Sequence, residues 1–370
     1  MKLQNADIEP RAVIKLNKNI KDDVSSGIMT FGENNDYPEI IEKTILGSQT
    51  GKAVYKIFSK FIAGDSFKDA TIGSTVVGKD IRGNDLTLDS LRVQIASSIA
   101  MFNGVYIHCN MSAAGLVTDV HLRNFKNCRL STSDSLGYSG RIAYANDFKK
   151  KKEVTFFNSF NPSRVLEQMK DDSTFNGQIY YSFLEDNYIY PLSPFDSVYL
   201  DMDTEFQIQL FKNREVRNGF SDKIVMVTEA PESEDGEEKL IAKCKSFMGA
   251  EGDKLLLFTA EFDENGNVKG NNFKVEKITT NINAELFNNV EISLSNNIRK
   301  AANGLPAVLI DYQQGTLSQA SGEMLASAVD TYNAYTKDLR NHVSKVLSDI
   351  FKNHEELKNV ATFEINPIVL

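Results

Sequence analysis

Gly47, Gly51 and Lys52 are the first residues whose types and spacing could do chemistry, in the run Gly47-Ser48-Gln49-Thr50-Gly51-Lys52-Ala53. A phosphate-binding loop surrounds phosphates with backbone amides and sets Ser or Thr after its Lys to reach magnesium. That loop needs four residues between its glycines. Here there are three, the hydroxyl position is Ala53, and the run sits inside a helical pattern. It reads as helix. Asp201, Asp203 and Glu205 could suggest a two-metal carboxylate site, but residues two apart on a helix face away from each other. His108 and Cys109 are neighbours on an expected strand and point to opposite faces, while His121, His342 and His354 stand isolated. No serine sits in a nucleophile-elbow pattern. The expectation is a chain that is not an enzyme, with no catalytic residues, no cofactor and no metal.

The polar run Asp311, Tyr312, Gln313, Gln314, Gly315, Thr316, Leu317 and Ser318 has a different chemistry. Taken by spacing alone it is a connection between helices. Its amides and hydroxyls can touch phosphates by hydrogen bonds without the fixed positive charge that makes nucleic-acid binding tight. The elements that must position it are legible. Before it, Ile282, Leu286, Val290, Leu294, Ile298 and Ala301 recur at helical period, and Asn303-Gly304 followed by Pro306 is a strong stop. After it, apolar positions from Met324 to Phe351 predict one helix over 319–352, about 34 residues and roughly 50 Å long.

Composition bounds the class. At 370 residues the chain exceeds one ordinary core, so two or three modules are expected. With 41% apolar and 25% charged residues it can both bury a core and solvate a surface. A net charge of −9 argues against a general nucleic-acid binder, which carries a basic face to replace phosphate counterions. It does not exclude a surface that DNA slides past. Cys109, Cys128 and Cys244 are odd in number and far apart, which suits a reducing compartment better than a disulfide scaffold. The N-terminus has no apolar leader and no window is apolar enough to span a bilayer, so no membrane partner is expected.

Along the chain, Pro38 opens a helical pattern that ends at Gly64, and Thr87–Asp89 opens another that ends at Asn103-Gly104. Residues 105–109 and 117–122 read as a hairpin, with further strands at 126–131, 141–145 and 153–157. In Pro191-Leu192-Ser193-Pro194, Ser193 can cap a helix that stops at Asn218-Gly219. A small α/β piece follows, with strands at 223–228, 254–259 and 273–279, a helix at about 238–249 and an acidic loop at 229–238. Residues 361–367 alternate like a terminal strand. The lysines at 149–152 and the acidic loop both read as solvated turns.

Together these features resemble the portal proteins of tailed bacteriophages, of the compact type found with long-tailed phages. The resemblance runs from about Asn35 to the C-terminus. It rests on Tyr37-Pro38, on Phe102-Asn103-Gly104-Val105-Tyr106-Ile107, and on Pro191 to Pro194 opening a helix that ends at Arg217-Asn218-Gly219-Phe220. Phe247-Met248-Gly249 through Leu257 adds to it, and the best match is Ile298-Arg299-Lys300-Ala301-Ala302-Asn303-Gly304-Leu305-Pro306. The chain departs from the pattern in having no Trp and in ending soon after the last helix, so a short or absent crown is expected.

The resemblance implies an α+β portal fold in a ring of about twelve subunits with head-to-tail interfaces. The expected parts are a wing (1–190), a first stem helix (191–219), a clip (220–280) and a second stem helix (281–303). A channel-loop region (304–318) and the long helix with a terminal wing strand (319–370) complete it. It implies a place at one capsid vertex of the virion, reached from the host cytoplasm during assembly, where DNA is packaged and ejected. Implied partners are double-stranded DNA, the packaging motor (terminase), capsid and scaffold proteins, and head–tail adaptors. Residues 311–318 would face the DNA, and Glu232, Glu234, Asp235, Glu237 and Glu238 would dock clip partners. The competing expectations are a non-portal virion scaffold or adaptor, and a packaging NTPase or nuclease.

Overall fold

The computed structural model describes residues 16–80, 82–135, 137–150, 153–171, 175–184, 189–217, 224–228, 239, 255–259, 284–310 and 322–369. The fold is mixed α+β, as expected. The chain forms two compact units, one of residues 16–202 and 295–370, the other containing 203–294.

The larger unit begins with an antiparallel pair, β1 (Ile20–Asp23) and β2 (Ile28–Phe31). The helical pattern expected from Pro38 to Gly64 is two helices, α1 (Tyr37–Gly47) and α2 (Gln49–Ala63). Ser48 divides them: it closes α1 through its own N–H to Thr44 O, and its hydroxyl accepts from Gly51 N–H at 2.8 Å to open α2. The pair β3 (Val76–Lys79) and β4 (Asp85–Thr87) leads into α3 (Leu88–Phe102). Thr87 caps α3, and Asn103 ends it in the left-handed conformation at φ 59°.

A six-stranded sheet follows, built from β5 (Gly104–Met111), β6 (Val117–Arg123), β7 (Cys128–Leu130), β8 (Arg141–Tyr144), β9 (Thr155–Ser159) and β10 (Gln178–Phe183). A short helix, α4 (Val165–Asp171), lies between β9 and β10. The spatial order is β6-β5-β10-β9-β8-β7, antiparallel except for β9 with β10. The hairpin and the strands near 128, 141 and 155 match the periodicity; β10, which joins the two halves of the sheet, is not among the expected strands, although its Ile179, Tyr180, Tyr181 and Phe183 are strand-forming types. On one face the sheet meets a helical layer. From β10, Ser182 Oγ lies 3.1 Å from His342 Nε2, and the Tyr180 hydroxyl donates to Asp349 Oδ2 at 3.0 Å.

Helix α5 (Tyr199–Arg217) starts later than Ser193 predicts. Ser193 accepts from Phe195 N–H and donates to Met101 O, so it holds a 3-10 turn at Asp196–Val198 instead of the helix itself. The chain passes into the smaller unit within α5 and returns within α6 (Ala284–Ala301). In the smaller unit, Phe211 of α5 stacks on Phe287 of α6 at 5.8 Å, and Lys212 pairs with Glu291. Strands β11 (Ile224–Thr228) and β12 (Leu255–Thr259) pair in parallel there, as two of the three expected strands. The third, at 273–279, lies outside the described residues, as does the expected helix at 238–249 apart from Lys239.

The single long helix expected over 319–352 is two, α7 (Gly322–Tyr335) and α8 (Lys337–Phe351). The break has a local cause. The Thr336 hydroxyl donates back to Tyr332 O at 2.9 Å, and Arg340 Nη2 donates to Asn333 O at 3.0 Å. Tyr332 O keeps its ladder bond from Thr336 N–H and takes the hydroxyl as well, while Arg340 occupies Asn333 O, a carbonyl that the helical ladder would use. The terminal segment makes one antiparallel bridge, Ile365 with Phe67.

Candidate functional site

The residues expected to face DNA, 311–318, and those expected to dock clip partners, 232–238, lie outside the described residues. What the structure describes is how the larger unit holds the two ends of the first segment. After α6, Asn303 and Gly304 are both left-handed, at φ 53° and 68°, so Leu305 N–H reaches back to Arg299 O at 3.0 Å. Leu305 is buried, and a 3-10 turn at Ala307–Leu309 leads to Ile310. From α7, the Tyr332 hydroxyl donates to Ala302 O at 2.8 Å, and Asn303 Nδ2 donates to Tyr335 O at 3.2 Å. Tyr332 is fully buried and meets the Phe61 ring edge-on. The stop at Asn303-Gly304 was legible; the tie through Tyr332 was not, because a tyrosine on an apolar stripe reads as filler.

The other candidates resolve by placement. Gly47 ends α1 and Gly51 is buried, with its N–H, which a phosphate would need, already given to Ser48 Oγ. A Cβ on Gly51 would stand 2.8 Å from Met202 Sδ, so close helix packing accounts for that glycine. Asp201, Asp203 and Glu205 follow one another on the continuous helix α5. Among the described residues no group of three or more His, Cys, Asp or Glu could hold a metal ion. No helix among them is long and apolar enough to cross a membrane.

His108 is not as solitary as its sequence context suggests. It sits opposite His121 across β5 and β6, with ring centroids 6.2 Å apart. Its Nε2 donates to Asn176 O at 2.6 Å, which leaves Nδ1 to accept from Arg123 Nη2 at 3.2 Å. The ring is thus held neutral. Burial is the main cause that pushes its pKa down to about 4, helped by the Arg123 charge, from an ordinary 6.5. The unfolded chain therefore takes a proton first as pH falls. The stability from neutral His108 is complete above pH 6.5 and is lost between there and about pH 4, to a limit of about 3 kcal/mol. His108→Gln should make the fall of the urea midpoint over that window shallower than in the parent chain. Equal slopes would show that His108 does not titrate this way.

No protein-family model matches the sequence, and no curated protein does. Solved structures do. A chain in the virion of the native gene transfer agent particle aligns over 90% of this chain and 83% of its own, with a TM-score of 0.54 and 13% identity. The two chains share a fold. A chain in the neck of the empty particle, computed with C6 symmetry, aligns over 90% of this chain and 84% of its own at a TM-score of 0.52 and 12% identity. An HK97-family phage portal protein from Corynebacterium diphtheriae covers 75% of this chain and 81% of its own at 12% identity; its TM-score of 0.33 is too low to carry an argument. At such identities the likeness is one of fold, and function has to be argued separately.

Proposed function

We propose that this chain is a portal subunit, which assembles into a ring at one vertex of a phage-type capsid and forms the channel for DNA packaging and ejection. The observation that carries the reading is the fold shared with a gene transfer agent virion chain over most of both lengths. A second support is the neck of the empty particle, a structure computed with six-fold symmetry. In this reading residues 1–190 are the wing, 191–219 and 281–303 the stem helices, and 220–280 the clip. Residues 304–318 form the channel-loop region, with 319–370 behind it. The acidic clip residues Glu232, Glu234, Asp235, Glu237 and Glu238 face the packaging motor and tail adaptors. Hydrolysis belongs to the motor, and the portal supplies a passage.

A passage must guide a duplex without holding it. Each neutralised phosphate adds salt-dependent affinity, so a ring of lysines would clamp the DNA. Gln313, Gln314 and Thr316 offer uncharged, short-lived contacts instead. Mass photometry and negative-stain imaging of the purified chain, alone and co-assembled with capsid protein, test the ring. The expected image is a ring around a hole of about 20 Å, wide enough for a duplex. Gln313→Lys with Gln314→Lys should keep the ring and slow packaging, more strongly at low salt. A strict monomer under both conditions rejects the ring, and normal packaging by the double variant rejects the channel loop.

A further inference from the structure

An open cavity of about 550 Å³ lies beside His108, on the sheet face opposite the helical layer. Its walls are mixed. Met111, Phe157, Met169 and Phe175 supply apolar surface, and Asn110 and Arg123 supply polar groups. Arg123 shares with Arg299 a buried Nε that has no acceptor, but Arg123 lines a cavity. Among the described residues its one hydrogen bond goes to His108 Nδ1, it has no carboxylate partner, and its Nε is sealed from solvent without an acceptor. The guanidinium is nonetheless well placed. It lies over the Tyr144 ring at 4.9 Å and near Phe157 at 5.9 Å, while the fixed His108 ring holds Nη2. The backbone is shaped around the same spot. Gly177 has φ +89°, and a Cβ there would stand 2.5 Å from Cys109 O and 2.9 Å from His108 Nε2.

We propose that this cavity binds an apolar carboxylate, with Arg123 as its anchor. A part-buried guanidinium lacking an acid is a positive charge whose desolvation an incoming anion can offset. Its planar fork matches a carboxylate through two parallel N–H donors. A single cation suits a monoanion better than a phosphate dianion, whose stronger hydration needs more donors to replace it. The two methionines and two phenylalanines then receive the body of the ligand, methionine adapting to its shape. The carboxylate can belong to a small molecule or to the end of a peptide, since both present the same group. The residues named all belong to one chain, so the proposal stands or falls independently of the ring.

The test uses the full chain with carbon-13 methionine methyl groups, following Met111 and Met169 by NMR. The probes are 3-phenylpropionate, its neutral amide, N-acetylphenylalanine and inorganic phosphate. For ligands of this size a Kd on the order of 1 mM is expected. 3-Phenylpropionate should shift both methyls, with the amide roughly tenfold weaker. Arg123→Gln should lose a similar factor and Arg123→Lys should recover part of it. Tighter binding of N-acetylphenylalanine than of 3-phenylpropionate assigns the site to a peptide terminus, and the reverse order to a small molecule. Several results overturn the proposal: equal binding of acid and amide, unchanged binding in Arg123→Gln, phosphate matching the acids, or no shift by saturating probe. Should Arg123→Gln fail to fold, the acid–amide comparison on the parent chain still decides.

Discussion

Replacing Arg129 with methionine is expected to destabilise the larger unit by about 3–5 kcal/mol. Arg129 on β7 is fully buried, yet its donors go to Asn35 Oδ1, Asn35 O, Lys126 O and Cys128 O instead of to a carboxylate. Phe148 covers the guanidinium at 5.1 Å. Asn35 itself is left-handed at φ 60°, and its side chain also accepts from Phe31 N–H. One side chain thus pins the turn before α1 onto the edge of the sheet. Methionine keeps much of the volume and strands the carbonyls, which is the expensive way to lose a buried hydrogen bond. Lysine should recover little, because a single ammonium cannot span the same acceptors. The measurement is the urea midpoint at unchanged denaturant slope. A loss below about 1 kcal/mol would mean that water replaces the guanidinium.

The second large effect is expected at Gly64, the residue that ends α2. Its backbone lies at φ 66° and ψ −169°, a region open essentially to glycine alone. A Cβ there would stand 2.4 Å from Asn366 O and 2.6 Å from Ile365 Cγ2. Gly64→Ala therefore adds strain to a backbone clash, for a loss of about 3 kcal/mol or more. Because the clash falls on the terminal segment, 364–366 should separate from 65–68, and the C-terminus should become a site of rapid proteolysis. Gly304→Ala is the control. It also has a positive φ, 68°, but nothing lies within 4 Å of its Cβ, so only about 1 kcal/mol is expected. Equal losses at the two glycines would refute the steric account of Gly64.

Buried arginines are the feature of this fold that composition hid most completely. Arg92 and Arg340 both donate to carbonyls at the end of α2, Arg92 to Ala63 and Gly64 and Arg340 to Phe61. Helix ends leave four carbonyls without partners, and here two distant side chains fill that need. In the sequence each of these arginines looks like an ordinary surface charge. Arg340 even falls within the apolar pattern of the last helix without disturbing it.

The sequence by itself determined the helix and hairpin boundaries that depend on neighbours within about four residues. Thr87 and Asn103 bound α3, Asn303 and Gly304 stop α6, and the alternation at 105–122 makes β5 and β6. A cap or a tight turn is decided by local backbone geometry, so the residue types announce it. Only the tertiary structure decided the rest. The insertion of β10 between β5 and β9 joins residues far apart in the chain, and the register of the β5–β6 hairpin sets His108 beside His121 and Arg123. The break at Thr336 depends on Arg340 reaching Asn333, and Tyr332 ties α7 to the end of α6. Each of these is chosen by burial and by the need to satisfy a buried polar group, and both are set by which distant surfaces come together.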